Sequence, residues 1–275
     1  MKLSLGFSPC PNDTYIFDAL VHGRIDTEGL EFDVLLADVE ELNERAFRAE
    51  LDVTKLSYHA FGYLTDTYRL LHSGSALGRG VGPLLVVKKE NFGGVTRDSR
   101  VAIPGKYTTA NYLLGLAYPQ VTRKQAVLFC DIERLVLEDV YDAGVLIHEN
   151  RFTYAKRGLR KIADLGTYWE DTTGLPVPLG GITVRRYLPR EVQLSVDRVL
   201  MRSVRYAFDH PQASAAYVRA HAQEMDAGVR RKHIALYVNE YTLKLGKDGL
   251  AAVEYFLADG RSKGIIPPGR ADYIV

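Results

Sequence analysis

The chain has 275 residues, 47% of them hydrophobic, enough for one large or two ordinary domains with packed cores and not the profile of a disordered protein. Its 35 basic and 34 acidic residues leave a formal net charge of +1, so no overall field recruits nucleic acid or an anionic membrane. The two cysteines, Cys10 and Cys130, sit in no CxxC or Cys/His pairing at metal-ligand spacing, which argues against a disulfide framework or a structural zinc site and suits a reducing compartment.

Leu3, Leu5 and Phe7 open a strand. Ser8-Pro9-Cys10-Pro11-Asn12-Asp13 ends it with two prolines, which cannot donate in a ladder. These same residues interrupt the amino terminus before a signal-peptide core forms, and no run approaches the roughly 18 apolar residues of a membrane span. The expectation is a soluble cytoplasmic protein. A helix is expected from Thr14 with Asn12 or Asp13 as its N-cap, and the amides of that helix start face whatever lies beyond the strand. Leu30 to Leu36 reads as the next strand. Asp38 and Glu41 form a capping-box signal for a helix through Arg48, with Val39, Leu42, Ala46 and Phe47 as its apolar stripe.

Asp52 to Ala60 reads as a short strand running into a helix. Lys55 and Ser57 lie two positions apart and point the same way while the chain is extended, so a cation and a hydroxyl share a face that suits a carboxylate or carbonyl ligand. An exposed lysine beside a helix cap is the plainer reading of the same residues. Gly74, Gly78, Gly80 and Gly82 make Ser73 to Pro83 glycine-rich, but the strand Leu84 to Val87 follows where a dinucleotide fingerprint needs a helix. A flexible loop close to a ligand or hinge fits better, with a plain surface loop as the simpler alternative.

Arg100 to Ile103 is a strand, and Pro104-Gly105-Lys106-Tyr107-Thr108-Thr109-Ala110 leads into a helix over Asn111 to Tyr118. The threonine pair can cap that helix or offer hydroxyl and amide donors to an anion. Val127 to Phe129 reads as a strand and Ile132 to Tyr141 as a helix. Val145, Leu146 and Ile147 are an unbroken apolar run, the pattern of a strand covered on both faces, and His148 sits where it ends. Open α/β sheets bind ligands outside the carboxyl ends of their strands, so His148 is either presented to a ligand or caps a sheet edge. From Phe152 to Gly174 the pattern is helical, Pro176, Pro178, Gly180 and Gly181 break it, and Pro189 to Gly264 is almost wholly helical. Arg230, Arg231 and Lys232 read as a solvated helix face. The alternation of strand and helix predicts an α/β protein with mostly parallel sheets and helices on both faces.

Five segments taken in order, Ser8 to Thr14, Lys55 to Ala60, Gly78 to Pro83, Pro104 to Asn111 and Gly144 to Glu149, resemble the 1,4-dihydroxy-6-naphthoate synthases of the futalosine route to menaquinone, over nearly the whole chain. The resemblance implies the two-lobed fold of type 2 periplasmic binding proteins, with a ligand cleft between the lobes. One lobe would hold residues 1–88 plus 183–275 and the other 89–182, with crossovers near Lys88 to Phe92 and Leu179 to Thr183. It implies a carbon-carbon lyase that converts cyclic dehypoxanthine futalosine to 1,4-dihydroxy-6-naphthoate without a redox cofactor or metal. His148 would be the proton acceptor, and Lys55, Leu56, Ser57, Thr109 and Ala110 would bind substrate. Asn12 and Asp13, at the helix start, join the candidate binding residues. Two alternatives stand beside this: chorismate dehydratase of the same pathway, and a binding protein that holds a small carboxylate without chemistry.

Overall fold

The structure, a computed structural model, describes all residues except 92, 224 and 225, so Phe92, at the far end of the first expected crossover, lies outside the described residues. The chain divides into two compact units. The first combines Met1–Gly78 with Pro178–Val275, and the second is Arg79–Val177.

The first unit begins with β1 (Lys2–Phe7), α1 (Pro11–Val21), β2 (Glu31–Leu36), α2 (Val39–Phe47), β3 (Val53–Ser57) and α3 (Tyr58–Tyr63). Two short strands follow, β4 (Tyr68–Leu70) and β5 (Ala76–Gly78). The second unit contributes β6 (Leu84–Lys88), β7 (Val101–Ile103), α4 (Thr109–Ala117), β8 (Lys124–Ala126), α5 (Ile132–Leu137), β9 (Ala143–Leu146), β10 (Leu159–Asp164) and α6 (Leu165–Thr173). The chain then enters β11 (Val177–Arg185) and finishes with α7 (Arg190–Asp209), α8 (Ala215–His221), α9 (Ala227–Tyr237), α10 (Glu240–Leu243) and α11 (Gly246–Ser262).

The first sheet has the order β2-β1-β3-β11-β4, with β5 also paired to β11. The second has the order β10-β6-β9-β7-β8. The expected parallel pairing holds for β1 with β2 and β3, and for β7 with β8 and β9. It gives way to antiparallel pairing of β6 with β9 and β10 and of β11 with β3 and β4. β6 pairs with β9 and β10, so it belongs to the second sheet and the chain changes unit ahead of it, rather than after Lys88.

Local chemistry explains most element boundaries. Asp38 caps α2 by accepting from the Glu40 amide at 2.9 Å, and Thr108 caps α4 by accepting from the Asn111 amide at 3.2 Å. The start of α1 is a correction: its cap is Cys10, Pro11 takes the first helical position, and Asn12 and Asp13 lie inside the first turn. Three further readings change. The strand read at Val127 to Phe129 lies earlier, at Lys124–Ala126, and Phe129–Asp131 forms a 3-10 turn. The helix read through Tyr141 ends at Leu137. The stretch read as helical after Phe152 contains the strand β10, whose ladder to β6 runs from Leu159 opposite Lys88 to Asp164 opposite Leu84.

Each unit has its own apolar core. In the first, Leu3, Leu5 and Phe7 of β1 meet Phe17 of α1 and Val199, Leu200 and Val204 of α7. Ser203 ties the two helices further, donating to the Ile16 carbonyl at 2.6 Å and accepting from the Leu20 amide at 3.1 Å. In the second, Leu84, Val86, Ala102 and Leu146 of the sheet pack with Ile132 and Val136 of α5. No helix among the described residues is long and apolar enough to cross a membrane.

One close approach fixes how α6 enters the second unit. A Cβ on Gly82 would fall 2.2 Å from the Gly166 backbone, and backbone cannot swing aside as a side chain can. Gly82→Ala is expected to lower stability by about 2–3 kcal/mol through overpacking. Urea unfolding followed by tryptophan fluorescence reads this directly, since Trp169 lies on α6; an unchanged midpoint would contradict the packing.

Candidate active site

In the first unit β1 and β3 run side by side in the same direction, Leu5 opposite Val53 and Gly6 opposite Thr54. Their carboxyl ends therefore deliver Ser8 to Asp13 and Lys55 to Ser57 to one edge of the sheet. Asp13, in the first turn of α1, is where a carboxylate gains from the unpaired amides of a helix start. One of its oxygens, Oδ2, accepts from the Ser8 amide at 3.2 Å and the Ser8 hydroxyl at 2.8 Å. The other, Oδ1, accepts from Asn12 Nδ2 at 2.7 Å and from Lys55 Nζ at 2.6 Å.

The side chains of Lys55 and Asp13 are 7% and 1% exposed, which overturns the plainer reading of Lys55 as a solvated lysine. Two charges removed from water are tolerable here because they neutralise each other and the carboxylate's lone pairs are filled. The absence of a side chain at Gly180 makes room for the lysine: a Cβ there would sit 3.2 Å from Lys55 Cε and 2.8 Å from the Leu56 carbonyl oxygen. Leu56 itself is fully buried.

Ser57 is held from a second helix. Its amide donates to Asn43 Oδ1 at 3.0 Å, and Asn43 Nδ2 donates to Ser57 Oγ at 3.1 Å and to Glu40 Oε2 at 3.0 Å. Asp38, at the start of α2, has its carboxyl pushed up by burial, against the pull of the helix amides. Tyr58 is sealed in the core beside Ser75, 2.7 Å away, and burial pushes its phenol well above the usual range. His59 is buried and packs edge-on against Tyr63, with ring centroids 5.5 Å apart.

The second unit repeats the geometry. β7 and β9 are parallel neighbours, Val101 opposite Ala143 and Ala102 opposite Gly144, so the Thr108 to Ala110 helix start and His148 emerge at the same sheet edge. Thr108 donates to the Gly105 carbonyl at 2.9 Å as well as capping α4, while Thr109 and Ala110, the first residues of the helix, are buried. His148 follows β9 after Ile147 and has φ of 56°. The left-handed region costs a residue with a Cβ on the order of 1–2 kcal/mol, and such outliers cluster where position matters more than comfort. The ring is half-buried and meets the edge of Phe129, centroids 4.8 Å apart. Close by in sequence, Arg151 donates to the Gly82 carbonyl at 2.8 Å and to Asp164 at 3.3 Å, and Asp164 caps α6 through the Gly166 and Thr167 amides. This pins the turn after His148 to the β6 side of the sheet.

The residues read from sequence thus fall into two groups. Asn12, Asp13, Lys55, Leu56 and Ser57 share one sheet edge, and Thr109, Ala110 and His148 share the corresponding edge of the other unit. Sequence reasoning did not single out Asn43, Glu40, Arg151 or Asp164. Asn43 and Glu40 lie one turn apart on α2, and their spacing is the one local signal that could have paired them.

The fold is that of the periplasmic binding proteins. It matches the alkanesulfonate-binding protein of Xanthomonas axonopodis pv. citri bound to MOPS with a TM-score of 0.70 at 12% identity, over 97% of this chain and 94% of that one. A crystal structure of a protein from Archaeoglobus fulgidus superposes with a TM-score of 0.90 at 36% identity, over 96% of this chain and 98% of that one. Residues 3–261 match the family described as menaquinone biosynthesis. Two relatives bear the name 1,4-dihydroxy-6-naphthoate synthase: one from Thermus thermophilus, 45% identical over 97% of this chain and 96% of its own, and one from Streptomyces coelicolor, 44% identical over 96% and 95%. The chain belongs to the menaquinone-biosynthesis family.

Two stability measurements test this geometry. Asp13→Asn leaves the Lys55 ammonium buried without its countercharge and is expected to cost about 3–5 kcal/mol in chemical denaturation; a cost below about 1 kcal/mol would show that the pair is solvated. His148→Gly relieves the left-handed strain and is expected to unfold at a higher temperature than His148→Ala. Equal melting temperatures for the two variants would contradict a strained residue 148.

Proposed function

We propose that the chain is a carbon-carbon lyase that converts cyclic dehypoxanthine futalosine to 1,4-dihydroxy-6-naphthoate. The observation that carries the reading is the placement of His148, an imidazole at the end of β9 on the sheet edge where the Thr108 to Ala110 helix start also emerges. Family membership and the names of the relatives from Thermus thermophilus and Streptomyces coelicolor support the product, and the substrate and the lyase step are those that the sequence resemblance implies.

In this reading neutral His148 accepts a proton from the sugar-derived ring, which starts ring opening and cleavage. Formation of an aromatic product drives the sequence downhill. The protein then has to place a base and hold the substrate, and both are tasks for preorganised side chains. Lys55, Leu56, Ser57, Asn12 and Asp13 in the first unit and Thr109 and Ala110 in the second are the substrate-binding positions. Lys55 has three N–H donors and gives one to Asp13, which leaves donors for the substrate carboxylate. The start of α4 is the competing anchor, since its first-turn amides point out of the helix.

The purified protein is expected to convert cyclic dehypoxanthine futalosine to 1,4-dihydroxy-6-naphthoate, followed by chromatography and mass, and to leave chorismate unchanged. Consumption of chorismate instead, or tight binding of the futalosine with no product on long incubation, would replace the reading with one of its two alternatives. His148→Ala is expected to reduce kcat by about 10²- to 10⁴-fold with KM little changed. Near-native turnover would remove His148 from the mechanism. Lys55→Ala and Thr109→Val test the side chains of the two anchors: the one whose side chain holds the carboxylate raises KM, and an unchanged KM in both would exclude the Lys55 ammonium and the Thr109 hydroxyl.

A further inference from the structure

His233 lies on α9, in the middle of the helical C-terminal section and 221 positions from the residue it touches. The helix begins with Asp226 accepting from the Val229 amide at 2.8 Å, and it packs on α1. Arg231 and Lys232 face solvent as a basic run should, whereas His233 and Tyr237, one turn apart, are buried and stack obliquely at 4.7 Å. Full burial is an unusual place for a histidine that only fills space. Its Nε2 lies 2.9 Å from Asn12 Oδ1.

The bonds beyond Asn12 determine which way each group must point. The Asp13 carboxylate only accepts, so the Asn12 atom 2.7 Å from it has to be the amide nitrogen. The Asn12 oxygen therefore faces His233, and Nε2 has to carry the proton. A chain of donors results, His233 to Asn12 to Asp13, and Lys55 closes it by donating to the same carboxylate oxygen at 2.6 Å. Every member is buried.

We propose that His233 is a positioning residue for the substrate-binding lysine: through Asn12 and Asp13 it fixes where the Lys55 ammonium sits. The inference rests on the proposed reading of Lys55 as a substrate-binding residue. His233 touches Asn12 and acts through it, so its removal moves the binding side of the kinetics and leaves the proton-transfer side alone.

The prediction is a split between the two kinetic constants. His233→Met, which keeps the bulk and loses the donor, is expected to raise KM for cyclic dehypoxanthine futalosine about tenfold, with kcat within about twofold of the parent. His233→Gln, which restores an N–H donor at a similar reach, is expected to return KM to within about threefold. A Met variant with the parent's KM, or a Gln variant as impaired as the Met one, would overturn the proposal.

A second readout needs no substrate. Long-range proton-nitrogen correlation spectra of the imidazoles are expected to show a proton on His233 Nε2, assigned by its loss in His233→Gln. A His233 ring protonated on Nδ1 alone would overturn the proposal whether or not the Met variant folds. Failure of the parent protein to turn over the futalosine would instead count against the function proposed above, and the spectra would still decide the hydrogen-bond chain.

Discussion

A carboxylate and an ammonium taken out of water together set the terms for the first unit. Asp13 with Lys55 is an ion pair at 2.6 Å between α1 and β3, and neither charge would be stable there alone. Its presence explains several features that look unrelated in the sequence. The prolines at 9 and 11 stop β1 and start α1, so that Asp13 falls in the first helical turn. Ser8 supplies two donors to the carboxylate, and Gly180 on β11 leaves space for the lysine stem. Buried ion pairs contribute little net stability compared with apolar packing, whereas removing one partner of such a pair is strongly destabilising.

The two units use one topological device. In each, neighbouring parallel strands end together, and the polar segments that follow them gather at that edge. The first unit collects an ion pair and amides. The second collects a helix start and an imidazole. The cost shows at His148, where the chain takes a conformation that glycine would adopt more easily. Strain of this kind persists only where surrounding contacts hold it, here the Phe129 edge and the Arg151 bridge to Gly82 and Asp164 a few residues on.

Much of the arrangement can be read from sequence because its signals are local. The prolines after Phe7, the Asp38 and Thr108 caps and the apolar run before His148 each span a few residues and act through backbone chemistry. What is hard to read depends on distant partners. β10 carries Arg160, Lys161 and Asp164, a composition that alone suggests no strand, and it is one because β6 offers it an antiparallel edge. β11 contains Pro178, Gly180 and Gly181, which read as breakers. In the fold, Gly180 stands opposite Ser57 and Gly181 opposite Leu56, so the small residues mark close approach within a sheet. The charge state of the site is hidden in the same way. Lys55 looks like a surface lysine until Asp13, 42 positions earlier, is brought to it. His233 is more remote still, and no local pattern connects it to Asn12.

In the proposed reaction the imidazole at 148 is the base. The most direct measurement is chemical rescue of His148→Gly, which removes the ring, suits the left-handed backbone and leaves room for a free base. Turnover of cyclic dehypoxanthine futalosine by this variant is predicted to be nearly abolished and to rise with added imidazole in proportion to the concentration of its neutral form. Turnover at the parent's rate with no imidazole present would contradict the assignment.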